Sequence, residues 1–230
     1  MAAVLPALAQ TPTLRIARIE NIPDQAVGAE LLRTVYRRAG IGIEFVDMPA
    51  KRALAESSEG RVDGEVQRIR AVGEQYPTLL AVPVPINFIE PAAFTTRLEF
   101  AVAGWQSLRP YSLAIVRGVG SSERGTQGMP RVEAVASMDQ LMQMVASGRV
   151  EVGVNDRFSG LLVLRRLGLD KLVHPLAPPL ERIELFHFVH TRHRELIPRL
   201  EEQLRTMQAS GELERLRAAI SARLLGEAAR

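Results

Sequence analysis

The chain has 230 residues, 47% of them hydrophobic and 24% charged, with a formal net charge of +3. That is enough apolar material for one large core or two modest ones in a soluble globular protein. Lys51 and Lys171 are its only lysines, it lacks cysteine, and aromatics make up 5%; no basic block is present, so a nucleic-acid surface is poorly supported, and thiol catalysis, disulfides, cysteine-ligated metals and a lipid-anchored cysteine are excluded.

Residues 1–10, MAAVLPALAQ, are apolar and place Ala7 and Ala9 just before Gln10, the small-residue pattern of a signal-peptidase site. The expectation is the tail of a signal peptide on a chain that works outside the cytoplasm. No later apolar run reaches the roughly 20 residues of a bilayer span. Leu14 to Ile19 alternates as a strand. Asp24 is placed to cap a helix carrying Leu31, Leu32, Val35 and Tyr36 on one face, which Gly40 stops. Strand Ile41–Val46, a short helix Ala50–Ser57 and strand Val62–Val66 complete a β-α-β-α-β run, the signature of a parallel sheet with right-handed crossovers. Arg68 and Arg70 follow the third strand, and Tyr76-Pro77 leads into the apolar run Leu79–Ile86. Two arginines at the carboxyl end of a strand are suited to a small-ligand site at the edge of an open sheet.

The extended stretch Asn87–Val102 has no helical period and suits a crossing between domains. A second unit follows: strand Tyr111–Val116, a glycine- and serine-rich turn Arg117–Gly128, and strand Val132–Val135. Ser137 and Gln140 form a capping box ahead of a helix with Met138, Leu141, Met142 and Val145 in register. Strand Val150–Val154 ends at Asn155-Asp156, and a helix over Leu161–Leu167 stops at Gly168. A proline-rich loop leads to the extended segment Ile183–His190. Two amphipathic helices, Leu196–Met207 and Leu213–Leu224, are separated by Gly211. His187, His190 and His193 fall in an extended run entering a helix, where alternation turns them apart, so a metal site is not expected. No nucleophile elbow, phosphate loop or dinucleotide fingerprint occurs.

Five strings, taken in order, give the chain a likeness. GRVDGEVQR (Gly60–Arg68), YPTLLAVPVPI (Tyr76–Ile86), LAIVRGVGSSERG (Leu113–Gly125), SGRVEVGVND (Ser147–Asp156) and HTRHRELIPRLEEQLRTMQASGEL (His190–Leu213) resemble the periplasmic solute-binding proteins of the polar amino-acid family, in an atypical branch. The resemblance implies an α/β fold of type II, with two Rossmann-like domains joined by two hinge strands. Domain one would comprise residues 11–92 and 188–230, and domain two residues 93–187, with hinges near Pro91–Thr95 and Leu185–Phe188. It implies a monomer without cofactor, binding rather than catalysing, that closes on a small polar ligand bearing a carboxylate, an amino acid or a relative, and presents it to the permease of an ABC transporter.

Carried over residue by residue, the site is as follows. Family members hold the ligand α-carboxylate with an arginine further along from the third strand, near Gln75, which cannot do this. Arg68 stands closer to the strand, where a guanidinium would still fork a carboxylate, and Arg70 is the next candidate. A surface position or an interdomain ion pair is the structural alternative for both. Asp156 falls where the family receives the ligand ammonium; its alternative is the N-cap of the following helix. Ser121 corresponds to the turn that meets the carboxylate, with ordinary capping as its alternative. Arg52, Glu20 and Asn21 are further ligand contacts on this resemblance. Two other readings use the same fold. One is a sensing module that docks a membrane receptor. The other is a dehydratase-like enzyme with Glu20, Glu65 or Asp156 as general acid, which requires burial to raise the carboxyl pKa.

Overall fold

The computed structural model describes residues 13–228, so the expected signal-peptide remnant, residues 1–10, lies outside the described part. Strands β1 (Leu14–Ile19) and β2 (Ile43–Met48) run parallel, joined by helix α1 (Pro23–Arg38). Helix α2 (Ala50–Ser58) leads to β3 (Gly64–Arg68), also parallel to β1. This is the β-α-β-α-β run expected from the periodicity. Leu14 and Ile16 join Leu31, Leu32 and Val35 in one core, while Ala17 turns to the opposite face against Met48 and Ala53, as strand alternation requires.

A short helix α3 (Val72–Gln75) and strand β4 (Leu79–Ala81) follow, then β5 (Asn87–Ile89). Of the apolar run Leu79–Ile86 only the first three residues form a strand, because the prolines at 83 and 85 cannot donate to a ladder. The second lobe holds β6 (Pro91–Thr95), β7 (Leu113–Val116), α4 (Gly120–Gly125), β8 (Val132–Val135), α5 (Met138–Ala146), β9 (Val152–Asp156), α6 (Arg157–Leu167) and β10 (His174–Pro175). Strand β11 (Ile183–His190) then returns to the first sheet, and α7 (Ile197–Ala209) and α8 (Glu212–Glu227) cover it. The first sheet has the order β2-β1-β3-β11-β4 with β5 on β11, and the second the order β10-β6-β9-β7-β8. The second sheet is packed on both faces. Phe94, Leu141, Met142 and Leu164 lie on one side, and Leu108, Leu113, Val152 and Val154 on the other.

The chain therefore leaves the first sheet at Glu90 and returns to it between Pro175 and Ile183. Both segments expected as hinges are strands, β6 in the second sheet and Leu185–Phe188 inside β11 in the first. The lobes also touch through helices: Arg165 Nη1 on α6 donates to the Leu225 carbonyl on α8 at 2.8 Å, and Phe158 packs against the first lobe's core. Two caps differ in outcome. Ser137 accepts from Gln140 N as the capping box predicts, whereas α1 begins at Pro23 with Ile22 as cap and no side-chain cap bond, so Asp24 lies inside the first turn. The Arg117–Gly128 turn contains the helix α4, hidden from the sequence by its glycines and serines.

The centre of the first sheet is tightly constrained. A Cβ on Gly64 would lie 2.2 Å from the Phe188 carbonyl oxygen, so β3 and β11 approach this closely only with glycine there. The β3–β11 register shifts between Phe186 and Phe188. His187 sits at that irregularity, fully buried, and its Nδ1 donates to the Glu65 carbonyl at 2.7 Å. Its Nε2 therefore accepts from the Tyr36 hydroxyl at 2.8 Å. Burial holds its pKa down to about 4, so it is neutral. His193 instead reaches Asp63 at 2.6 Å, and His190 Nδ1 accepts from Arg192 N, so the three histidines diverge.

Candidate functional site

β1, β2 and β3 are parallel and end together, at Ile19, Met48 and Arg68. Open α/β sheets bind ligands outside such carboxyl ends. Glu20 and Asn21 form the exposed turn after β1; Asn21 has φ 59°, a left-handed conformation that asparagine tolerates better than most residues. Arg52 is exposed on α2 and lies 3.9 Å from Glu56.

Arg68 has an internal partner. Its Nε donates to Glu65 Oε2 at 2.8 Å and its Nη2 to the Ala50 carbonyl at 3.0 Å. Ser57 donates to the other Glu65 oxygen at 2.8 Å. Burial raises the Glu65 pKa, and Arg68, then Ser57, work against that rise. Arg70, next on that face, lies exposed with its guanidinium 4.2 Å from the Phe186 ring centroid.

Asp156 terminates β9 and caps α6. Its Oδ2 accepts from Ser159 N at 2.9 Å, and its Oδ1 from Glu90 N at 3.0 Å, at the point where the chain crosses between sheets. Across from it, the buried Asp24 Oδ2 accepts from Gln67 Nε2 at 2.7 Å. The Gln67 Oε1 accepts from Asn87, whose Oδ1 in turn accepts from Arg217 at 2.8 Å. Burial, reinforced by the negative charge of Asp156, pushes the Asp24 pKa up to about 7. Removing the cap by Asp156→Ala should cost about 1 kcal/mol, and Asp156→Asn should retain most of that, as measured by urea denaturation.

A recess of about 430 Å³ opens between the lobes, lined by Ile69 and Ile183 from the first and by Trp105, Ser121, Arg124, Gly125 and Glu181 from the second. Its volume suits a small molecule. Ser121 is buried at its wall; Arg124 and Glu181 are exposed. The Trp105 indole lies across Gly125, where a Cβ would come within 2.2 Å of the ring. A second recess of about 430 Å³, lined by Arg33, Arg37, Gly40, Ile41 and Ile43, lies wholly on the first lobe. It lacks the two-lobe construction that lets binding bias an interdomain equilibrium.

Of the residues expected from sequence, the recess gathers Ser121. Arg68 directly precedes Ile69 of the recess wall but spends its polar atoms on Glu65 and the Ala50 carbonyl, and Asp156 spends both carboxylate oxygens on backbone N–H groups. Arg52, Arg70, Glu20 and Asn21 do not line it. Trp105, Arg124 and Glu181 were missed. The available signal was Trp105 itself, the single tryptophan of a chain poor in aromatics.

No family model matches the chain. A protein of Shewanella oneidensis described as uncharacterized is 24% identical over 220 residues, covering 91% of this chain and 82% of that protein. Among solved structures, a histidine kinase sensor domain with similarity to periplasmic binding proteins has a TM-score of 0.69 at 20% identity, covering 91% of this chain and 96% of that one. The amino acid ABC transporter substrate-binding protein AbpA from Streptococcus pneumoniae, bound to L-arginine, has a TM-score of 0.69 at 12% identity, with 93% and 96% covered. The chain has the type II periplasmic-binding-protein fold, as its sequence predicted.

Proposed function

We propose that this protein is an extracytoplasmic solute-binding protein that captures a small polar, carboxylate-bearing ligand, an amino acid or a relative of one, between its lobes. The recess with walls from both lobes carries this reading. A ligand touching both lobes contacts more protein in the closed form and so favours closure. Delivery to the permease of an ABC transporter follows the reading that a substrate-binding protein of such a transporter shares the fold. Docking on a membrane receptor is the second reading, favoured by the sensor-domain likeness. We read the site as binding, not catalytic, in a monomer located in the periplasm. The two-domain division expected from sequence, residues 11–92 with 188–230 and 93–187, belongs to the same proposal, with its crossings drawn at Glu90 and just before Ile183, because β6 lies wholly in the second sheet and β11 wholly in the first.

A thermal-shift panel of amino acids, small carboxylates and amines tests it. A ligand at 100 times its dissociation constant should add about 2.7 kcal/mol of stability. A panel with no stabilising member would remove the reading. Product formed during the same incubations would favour the enzyme alternative, and capture of a permease rather than a receptor domain would separate uptake from sensing.

A further inference from the structure

The recess has a distinct chemical division. Ile69, Ile183 and Trp105 supply apolar surface from both lobes, and the indole is laid flat by its contact with Gly125. Arg124 and Glu181, both exposed, add one positive and one negative group on the second lobe's side. Among the described residues neither takes part in an ion pair, in contrast to Arg68, which Glu65 holds, and Arg182, which lies 3.8 Å from Glu90. Ser121 adds a hydroxyl at the same wall.

Resting on the binding reading above, we infer that the recess selects a zwitterionic amino acid with an apolar side chain. Arg124 and Ser121 meet the carboxylate, Glu181 meets the ammonium, and Trp105, Ile69 and Ile183 surround the side chain. Charge counting separates this class from its neighbours. One guanidinium and one carboxylate match one ligand carboxylate and one ammonium. A second carboxylate, as in glutamate, would be desolvated against isoleucine and the electron-rich indole face without a partner, and a second cationic group, as in arginine, would have only the indole face to offset its desolvation, which is costly. An apolar side chain gains from the same surface.

Trp105 is the only tryptophan, so intrinsic fluorescence reports directly on this recess. The probes are L-leucine, L-phenylalanine, L-arginine and L-glutamate, with phenethylamine and 3-phenylpropanoate as analogues of L-phenylalanine that lack one charge. L-Leucine or L-phenylalanine should change the emission and raise the melting temperature, and both single-charge analogues should bind at least tenfold more weakly, the loss of one charged contact. Arg124→Gln and Glu181→Gln should each weaken the binding amino acid by a similar factor. Because both side chains are exposed, the unliganded melting temperature should not move. Tighter binding of L-arginine or L-glutamate, or unchanged affinity in both variants, overturns the assignment and leaves the binding reading standing. Silence from all four amino acids also overturns it; the binding reading itself falls only with the wider panel.

Discussion

Arg68→Ala should destabilise the protein by roughly 3–5 kcal/mol, the cost of leaving a buried carboxylate without its partner. The Glu65 side chain is 1% exposed and that of Arg68 10%, so solvent screens little of the interaction. Ser57 would remain as one donor to Glu65, and the Ala50 carbonyl would lose its guanidinium contact. Glu65→Gln in the same background should recover most of the loss, since a neutral amide has no charge to desolvate and still accepts from Ser57. Urea denaturation of the wild type, both single variants and the double variant measures the coupling. A loss below about 1 kcal/mol in Arg68→Ala, together with weaker ligand binding, would falsify the structural role and return Arg68 to the ligand, where the sequence resemblance put it.

The second large effect is a change in the pH profile. Asp24 titrates at about 7 in the folded chain against an ordinary 3.8. Between those values the folded state holds a proton that the unfolded state has lost, so stability falls as pH rises, with the full cost present above about 7. His187 has the opposite slope. Its folded pKa of about 4 lies below the ordinary 6.5, so stability rises with pH between the two. The two slopes oppose each other, and from pH 4 to 6.5 the wild-type profile should be nearly flat with respect to these groups.

Asp24→Asn removes one slope. The amide keeps an acceptor for Gln67, and the charge that faces Asp156 disappears. At pH 8 the variant should be more stable than wild type by something on the order of 2–4 kcal/mol, with little difference at pH 4. Its own stability should then climb from pH 4 to 6.5 as His187 alone is read out. Arg217, whose positive charge works against the rise in the Asp24 pKa, limits the gain at high pH. Thermal denaturation at half-unit pH steps decides the matter. A variant that is less stable than wild type at pH 8 would mean that Asp24 is ionised and usefully paired in the folded state.

These two predictions also mark how far the sequence reaches. Periodicity alone placed β1, α1, β2 and α2, because each buries one face against its neighbour and the apolar spacing must match the element's geometry. The cap at Ser137 and the stop at Gly168 were legible for the same reason, being local hydrogen bonding and backbone conformation. The order of elements and five short strings were sufficient for the type II fold.

Only the tertiary structure decided what the charged residues do. Arg68 and Glu65 are three residues apart, yet it is burial of the pair beside Ser57 and the Ala50 carbonyl that commits the arginine to the carboxylate. Asp24 looks like a helix cap in the sequence; the meeting of α1 with the chain crossing at Glu90 and Asp156 makes it a buried acid. The recess of Trp105, Arg124 and Glu181 joins residues from segments far apart in the chain. Periodicity reports which face of an element is buried, whereas charge pairing and a cleft depend on distances between elements, and those exist only once both lobes have packed.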